Sequence, residues 1–169
     1  MRVVLLGGAP GIGKTAAARE LLAIASMGEH LVQWVDVDAL WAHQPWRVDE
    51  RSRTMVESNL RCVLANSARA GVDVVVVTWI FQNEGMHRLV ETLLPEGASL
   101  QTVQLLASER RWRERFTGDA GRPEIDAFYE LRFAEAHATP ADHRLDTDRM
   151  TPGQVAAELG RIVGITPMA

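Results

Sequence analysis

Apolar positions along this chain follow two rhythms, and the rhythms alternate. Short runs rich in valine, leucine, isoleucine or aromatic residues occupy residues 3–7, 32–35, 72–81 and 100–106, with a shorter fifth at 144–147. Between them lie stretches whose apolar residues recur every three or four positions, at 16–25, 55–70, 86–94, 109–116, 125–138 and 152–163. The first rhythm predicts strands and the second helices. Val74-Val75-Val76-Val77 has no polar alternation, so that strand is expected to be covered on both faces, as in a parallel sheet. Gly71 reads as the stop of the helix before it, and Thr151 ahead of Pro152 as the N-cap of the last helix. Alternating strands and helices predict an α/β protein, a three-layer α/β/α sandwich around a mainly parallel five-stranded sheet. Ligands of such sheets gather at the carboxyl ends of the strands, so the loops after the first four strands are expected to share one cleft.

Composition narrows the function classes. With 169 residues, 47% of them hydrophobic, residues 1–169 are expected to form one folded domain with a full core. No apolar run approaches about 18 residues, so no membrane partner is expected. The apolar N-terminal run is cut short by glycines and reads as a strand, not as a signal peptide. Cys62 stands alone, which excludes a disulfide framework or a zinc cluster and fits a reduced cytoplasm. The histidines are scattered without metal spacing, and His43 and His87 read as surface or pocket groups. A net charge of −4 argues against a nucleic-acid partner. Yet Arg110, Arg111, Arg113, Arg115 and Arg122 crowd one stretch, a basic island suited to a local anionic ligand.

The candidate chemistry begins where the first strand ends. Gly8-Ala9-Pro10-Gly11-Ile12-Gly13-Lys14-Thr15 fits G-x-x-x-x-G-K-[ST] at every fixed position, and Ala16 continues into a helical stretch. Such a loop curls its N–H groups inward and adds the positive end of the new helix, which suits a nucleotide's phosphates. Lys14 would reach the β- and γ-phosphates, and Thr15 would ligate Mg²⁺. Asp36 and Asp38 follow the second strand and would share one face if that strand continued. Asp36 is assigned to the Mg²⁺ shell and Asp38 to the proton of an attacking hydroxyl. Asp38 could instead cap a helical turn at Ala39-Leu40-Trp41. The third strand ends at Thr78, where many P-loop proteins keep an acid, and no N-K-x-D motif occurs. Both absences disfavour motor ATPases and GTPases. Arg115 and Arg122 flank a Gly-containing segment suited to a moving lid, within about residues 110–124.

Three segments carry a family resemblance. Asp36-Val37-Asp38 resembles the D-x-D of shikimate kinases, and residues 115–123 resemble their two-arginine lid with its following proline. Residues 144–153 resemble their adenine-side loop. The chain thus resembles the P-loop small-molecule kinases of the shikimate kinase and gluconate kinase group, and chloramphenicol phosphotransferases are similar in layout. The resemblance implies ATP and Mg²⁺ as cofactors, an adenine held between Arg115 and Arg149 near Pro152, Arg122 approaching the phosphates, and Arg132 near the substrate. The departures bear on the acceptor. Thr78-Trp79-Ile80-Phe81 stands where shikimate kinases have a triple-glycine turn, and their F-R-x-x-E element is missing.

The expected activity is transfer of the γ-phosphoryl group of ATP to a hydroxyl of a small molecule. The acceptor insert is placed at about residues 39–70, with Trp41, Trp46, Trp79 and Thr78 facing the acceptor and Arg47, Arg51 or Arg53 at the rim. A nucleoside monophosphate kinase and a slow, regulatory nucleotide-binding protein stay open as alternatives, as do a monomer and a homodimer.

Overall fold

The computed structural model describes residues 1–165, so the last four residues of the expected domain lie outside the described part. Strands and helices alternate in the order β1 (Arg2–Gly8), α1 (Lys14–Ala25), β2 (Val32–Asp36), α2 (Val37–Trp41), α3 (Glu50–Arg69), β3 (Val74–Thr78), α4 (Glu84–Glu91), β4 (Ser99–Leu106), α5 (Glu109–Thr117), α6 (Ala127–Ala138), β5 (His143–Asp146) and α7 (Pro152–Val163). The five strands pair in the order β2-β3-β1-β4-β5, all parallel among the described residues. The chain reverses its direction of travel across the sheet beside β1. Loops on either side of that switch open a crevice at the strands' carboxyl ends.

The period-two alternation within the strands separates two cores. Val4, Leu6, Val74, Val76, Val103 and Leu105 point to one face, where Leu21 of α1, Trp112 and Phe116 of α5, and Val155 and Leu159 of α7 cover them. Val3, Leu5, Val75 and Val77 point to the other, under Trp41 of α2, Val56, Leu60 and Leu64 of α3, and Val90 of α4. β3 is buried along its whole length, as its unbroken valine run requires.

Local signals set most boundaries. Gly71 follows α3 with φ +76°, a conformation open to glycine at no steric cost. α3 starts at Glu50, five residues before the apolar periodicity begins, because Asp49 and Ser52 form a reciprocal capping box. The second strand does not continue through Asp38 but ends at Asp36. The Asp36 carboxylate accepts the Asp38 N–H at 3.1 Å, which turns the chain into α2. The helical turn expected at residues 39–41 is therefore real, but Asp36 caps it and Asp38 lies in its first turn.

Thr151 caps α7 with a second capping box, through Gln154. α7 packs its buried face onto the core beside α1, so losing the cap should be felt by the whole domain. Thr151→Ala is expected to lower the unfolding free energy by about 1 kcal/mol, measured by urea titration. A change indistinguishable from zero would show that packing alone fixes this helix start.

Candidate active site

The loop between β1 and α1 is held from behind. Trp112, fully buried on α5, donates its indole N–H to the Pro10 carbonyl at 2.8 Å. Phe116 packs so close that a Cβ on Gly11 would stand 2.8 Å from its ring, and Gly11 also has φ +81°. Any side chain at Gly11 would push the loop off its support. Arg115, on the same helix, donates to the Ile12 carbonyl at 3.4 Å and to the Thr147 hydroxyl at 2.8 Å. Residues 109–117 are thus a docked helix, and the non-helical part of the expected lid is confined to the residues after Thr117. The arginine-rich reading of α5 missed this clamp. Its signal was in the sequence, as Trp112 and Phe116 one turn apart.

Two cavities flank the loop. One, of about 430 Å³, is bordered by Gly11, Gly13, Arg115, Arg149, Met150 and Pro152. This is where the resemblance puts an adenine. The other, also about 430 Å³, is bordered by Gly13, Lys14, Thr15, Ala16, Asp36, Asp38, Thr78, Trp79, Arg115, Asp119 and Arg122. The two acids, the loop lysine and both candidate arginines therefore meet in one place, although they come from four separate segments. Arg122 is tethered to Asp119 at 3.1 Å and lies over the Phe116 ring at 5.1 Å.

Lys14 folds back onto its own loop, donating to the carbonyls of Gly8 at 2.7 Å and Ala9 at 3.0 Å. Loss of water around the ammonium group lowers its pKa to about 8; Asp38 and Asp36 oppose the shift, and Arg122 adds to it. The Asp38 pKa is raised, first by partial loss of water and then by the Asp36 charge, while Lys14 and the Trp79 side chain pull it back. Asp38 keeps solvent access through the cleft, yet dense protein surrounds its carboxylate. A carboxylate raised in this way is a better proton acceptor than an ordinary aspartate.

Among the described residues no cluster of three or more His, Cys, Asp or Glu could hold a metal ion by itself. A divalent ion here would rest on the Thr15 hydroxyl and an acid at the end of β2, with phosphate oxygens completing its shell. That donor set of hard oxygens suits Mg²⁺. The glycine-lined cradle, held in shape because Gly11 leaves Phe116 room to pack against it, fits a nucleotide's phosphates.

A third cavity, of about 480 Å³, opens on the other side of Asp38. Trp41, Trp46 and Trp79 line it, as the sequence suggested, with ring centroids 6.0 Å apart for Trp41–Trp46 and 5.9 Å for Trp41–Trp79. Arg53 borders it, whereas Arg47 is exposed and lines none of these cavities. Thr78 is buried and its hydroxyl accepts the Trp34 indole N–H at 2.9 Å, so it turns to the sheet edge more than to the acceptor side. Arg132 does not line the aromatic cavity. It braces that wall from behind, donating to Gln82 and Glu135 with its guanidinium 5.0 Å from the Phe128 ring. Glu57, Met86, Leu89 and Phe128 complete the cavity and escaped the sequence reading, because α3, α4 and α6 bring them together only through tertiary packing. Phe81 is fully buried with φ +44°, a rare backbone for a bulky residue, and bends the chain from β3 into this wall.

The chain matches no protein-family model and no curated protein. Solved structures do match. A sugar kinase from Janibacter sp. HTCC2649 superposes with a TM-score of 0.74 at 19% identity, covering 99% of this chain and 96% of that one. The Deinococcus radiodurans tunicamycin resistance protein gives 0.74 at 20%, covering 99% and 98%. Shikimate kinase from Aquifex aeolicus gives 0.60 at 16%, covering 97% and 96%. The fold is thus that of the P-loop small-molecule kinases, as the resemblance implied. No helix among the described residues is long and apolar enough to cross a membrane.

The lowered Lys14 pKa has a measurable consequence. Above about pH 8 the free protein holds Lys14 largely neutral, and a bound polyphosphate favours the charged form. Nucleotide binding above that pH is expected to take up a proton, and binding near neutrality is not. Calorimetry in buffers of different ionisation enthalpy reads the difference directly. Equal proton uptake at both pH values would mean Lys14 does not meet the phosphates.

Proposed function

We propose that this protein is an ATP- and Mg²⁺-dependent phosphotransferase that moves the γ-phosphoryl group to a hydroxyl of a small molecule. One observation carries the reading above all: Asp38 borders both the Lys14 cavity and the aromatic cavity. A proton acceptor at the junction of two sites is what direct transfer between two bound molecules needs. A protein that only senses nucleotide has no use for the second cavity.

In this reading the adenine lies against Arg115, Arg149 and Pro152, and the phosphates lie in the loop of residues 8–16. Mg²⁺ held by Thr15 and the Asp36 side supplies charge neutralisation to the phosphates. Phosphoryl transfer leaves the protein little covalent work, so its main contribution is positive charge around the moving group. Lys14 and Arg122, which border the same cavity, provide it. Asp38 orients the acceptor hydroxyl and takes its proton as the new O–P bond forms. The bond from the γ-phosphorus to its bridging oxygen breaks in the same step, and ADP leaves. The match of these proteins' fold to a sugar kinase and a shikimate kinase supports the reaction class without naming the acceptor.

Lys14→Ala is expected to cut acceptor-dependent ADP release by about a hundredfold or more. Asp38→Asn is expected to lower kcat by about 10²–10⁴ while ATP affinity stays near that of the parent. Loss of ATP binding in Asp38→Asn would reassign Asp38 to a structural role. The kcat/KM for ATP, which reports the free enzyme, should fall on the acid side at a pH above the ordinary aspartate range, because the Asp38 pKa is raised. That limb should vanish in Asp38→Asn.

A further inference from the structure

The aromatic cavity carries more information than its position. Its walls are Trp41, Trp46, Trp79, Phe81 and Phe128, drawn from four separate segments of the chain. Trp41 is nearly buried and is flanked by both Trp46 and Trp79 at ring-stacking range, while the Trp79 and Phe81 rings meet edge to face at 6.0 Å. The rim is apolar as well. Trp46 is 59% exposed and Val48 55%, with Phe128 at 50%, and all three border the opening. Large apolar groups left in water around one opening mark a surface that an apolar ligand covers.

The charges argue in the same direction. Two carboxylates, Asp38 and Glu57, and one guanidinium, Arg53, border the cavity. Arg132, which braces the cavity wall, is not available to a ligand. Its guanidinium is engaged by Gln82 and Glu135, and its side chain is only 16% exposed. A carboxylate or phosphate on the acceptor would therefore enter a site that already holds more negative than positive charge, with no free pair of arginines to receive it. A hydroxyl on a flat ring would be stacked by the indoles and delivered to Asp38.

Resting on the phosphotransferase reading, we infer that the acceptor is a flat, aromatic or similarly apolar alcohol bearing no negative charge. Sugar acids and nucleoside monophosphates are excluded from this site by charge.

Four probes isolate ring and charge. They are 1-phenylethane-1,2-diol, its amine analogue 2-amino-1-phenylethanol, its carboxylate analogue mandelate, and gluconate. Binding to the full-length protein is read by saturation-transfer NMR and by quenching of tryptophan fluorescence, without ATP. Turnover is read separately as ADP release with Mg-ATP. The diol or the amine is expected to bind at least about tenfold more tightly than mandelate or gluconate. Trp46→Ala, at an exposed position, is expected to weaken the diol while leaving ATP binding unchanged. Glu57→Gln is expected to narrow the gap between amine and diol and to relieve the exclusion of mandelate. Tighter binding of mandelate or gluconate, no binding by either ring alcohol up to its solubility limit, or indifference to Trp46→Ala would each overturn the inference. Diol binding that never stimulates ADP release supports the pocket's ligand class while counting against phosphoryl transfer. ADP release driven only by gluconate would uphold the kinase and overturn the acceptor class.

Discussion

An ammonium group taken out of water needs compensation, and the site is organised around that requirement at Lys14. Its immediate partners are two backbone carbonyls of its own loop, and the nearby carboxylates Asp36 and Asp38 oppose the loss of charge. The balance is incomplete, which is why the group titrates near pH 8 instead of as an ordinary lysine. A polyphosphate restores what is missing. The same residues that tolerate Lys14 in the free protein thus prepare the site for an anion, and the acid nearest to it is left with a raised pKa suited to accepting a proton.

That arrangement needs a loop that does not move, and the rest of the fold supplies it. β1 ends in the centre of the sheet, between β3 and β4, so the loop that follows emerges from a central, buried strand. α5 locks the loop from behind through Trp112 and Phe116, and Arg115 ties it to the segment after β5. On the far side β2 brings Asp36 to the cleft and then bends into α2, which presents Asp38 two residues after that cap. Rigid elements on three sides leave Arg122, beyond the end of α5, as the cation on irregular backbone.

Most of the sheet and its helices were readable because β1, β3 and β4 are dense apolar runs and several helices carry a stop or cap of their own, such as Gly71 or Thr151. The loop from β1 into α1 was readable because its signal is local, with every fixed position of the motif inside residues 8–15. Asp36 and Asp38 were singled out on two readings, a continued strand or a helical turn, and the turn is the one that forms. A strand through Asp38 would have set both side chains on one face, whereas a cap followed by a helical turn brings both to the cleft. The clamp by Trp112 and Phe116 was overlooked because arginines dominate α5 and drew attention to charge. Arg132 and Arg47 were placed by chain position, and packing sent one behind the cavity wall and the other to solvent. Glu57, Met86, Leu89 and Phe128 could not be assigned from spacing, since nothing along the chain links α3, α4 and α6. The likeness to a sugar kinase and a shikimate kinase is one of fold, and Trp79, Ile80 and Phe81 stand where the resemblance to shikimate kinases implies a glycine turn.

The central claim is that Asp38 joins a phosphate site to an acceptor site, so that the phosphoryl group passes to an alcohol and not to water. Phosphorus NMR of the protein turning over Mg-ATP beside 1-phenylethane-1,2-diol tests it most directly. The account predicts a growing phosphate monoester resonance in step with ADP, absent when Lys14→Ala replaces the parent. ADP accompanied only by inorganic phosphate, at a rate the alcohol does not change, would contradict it.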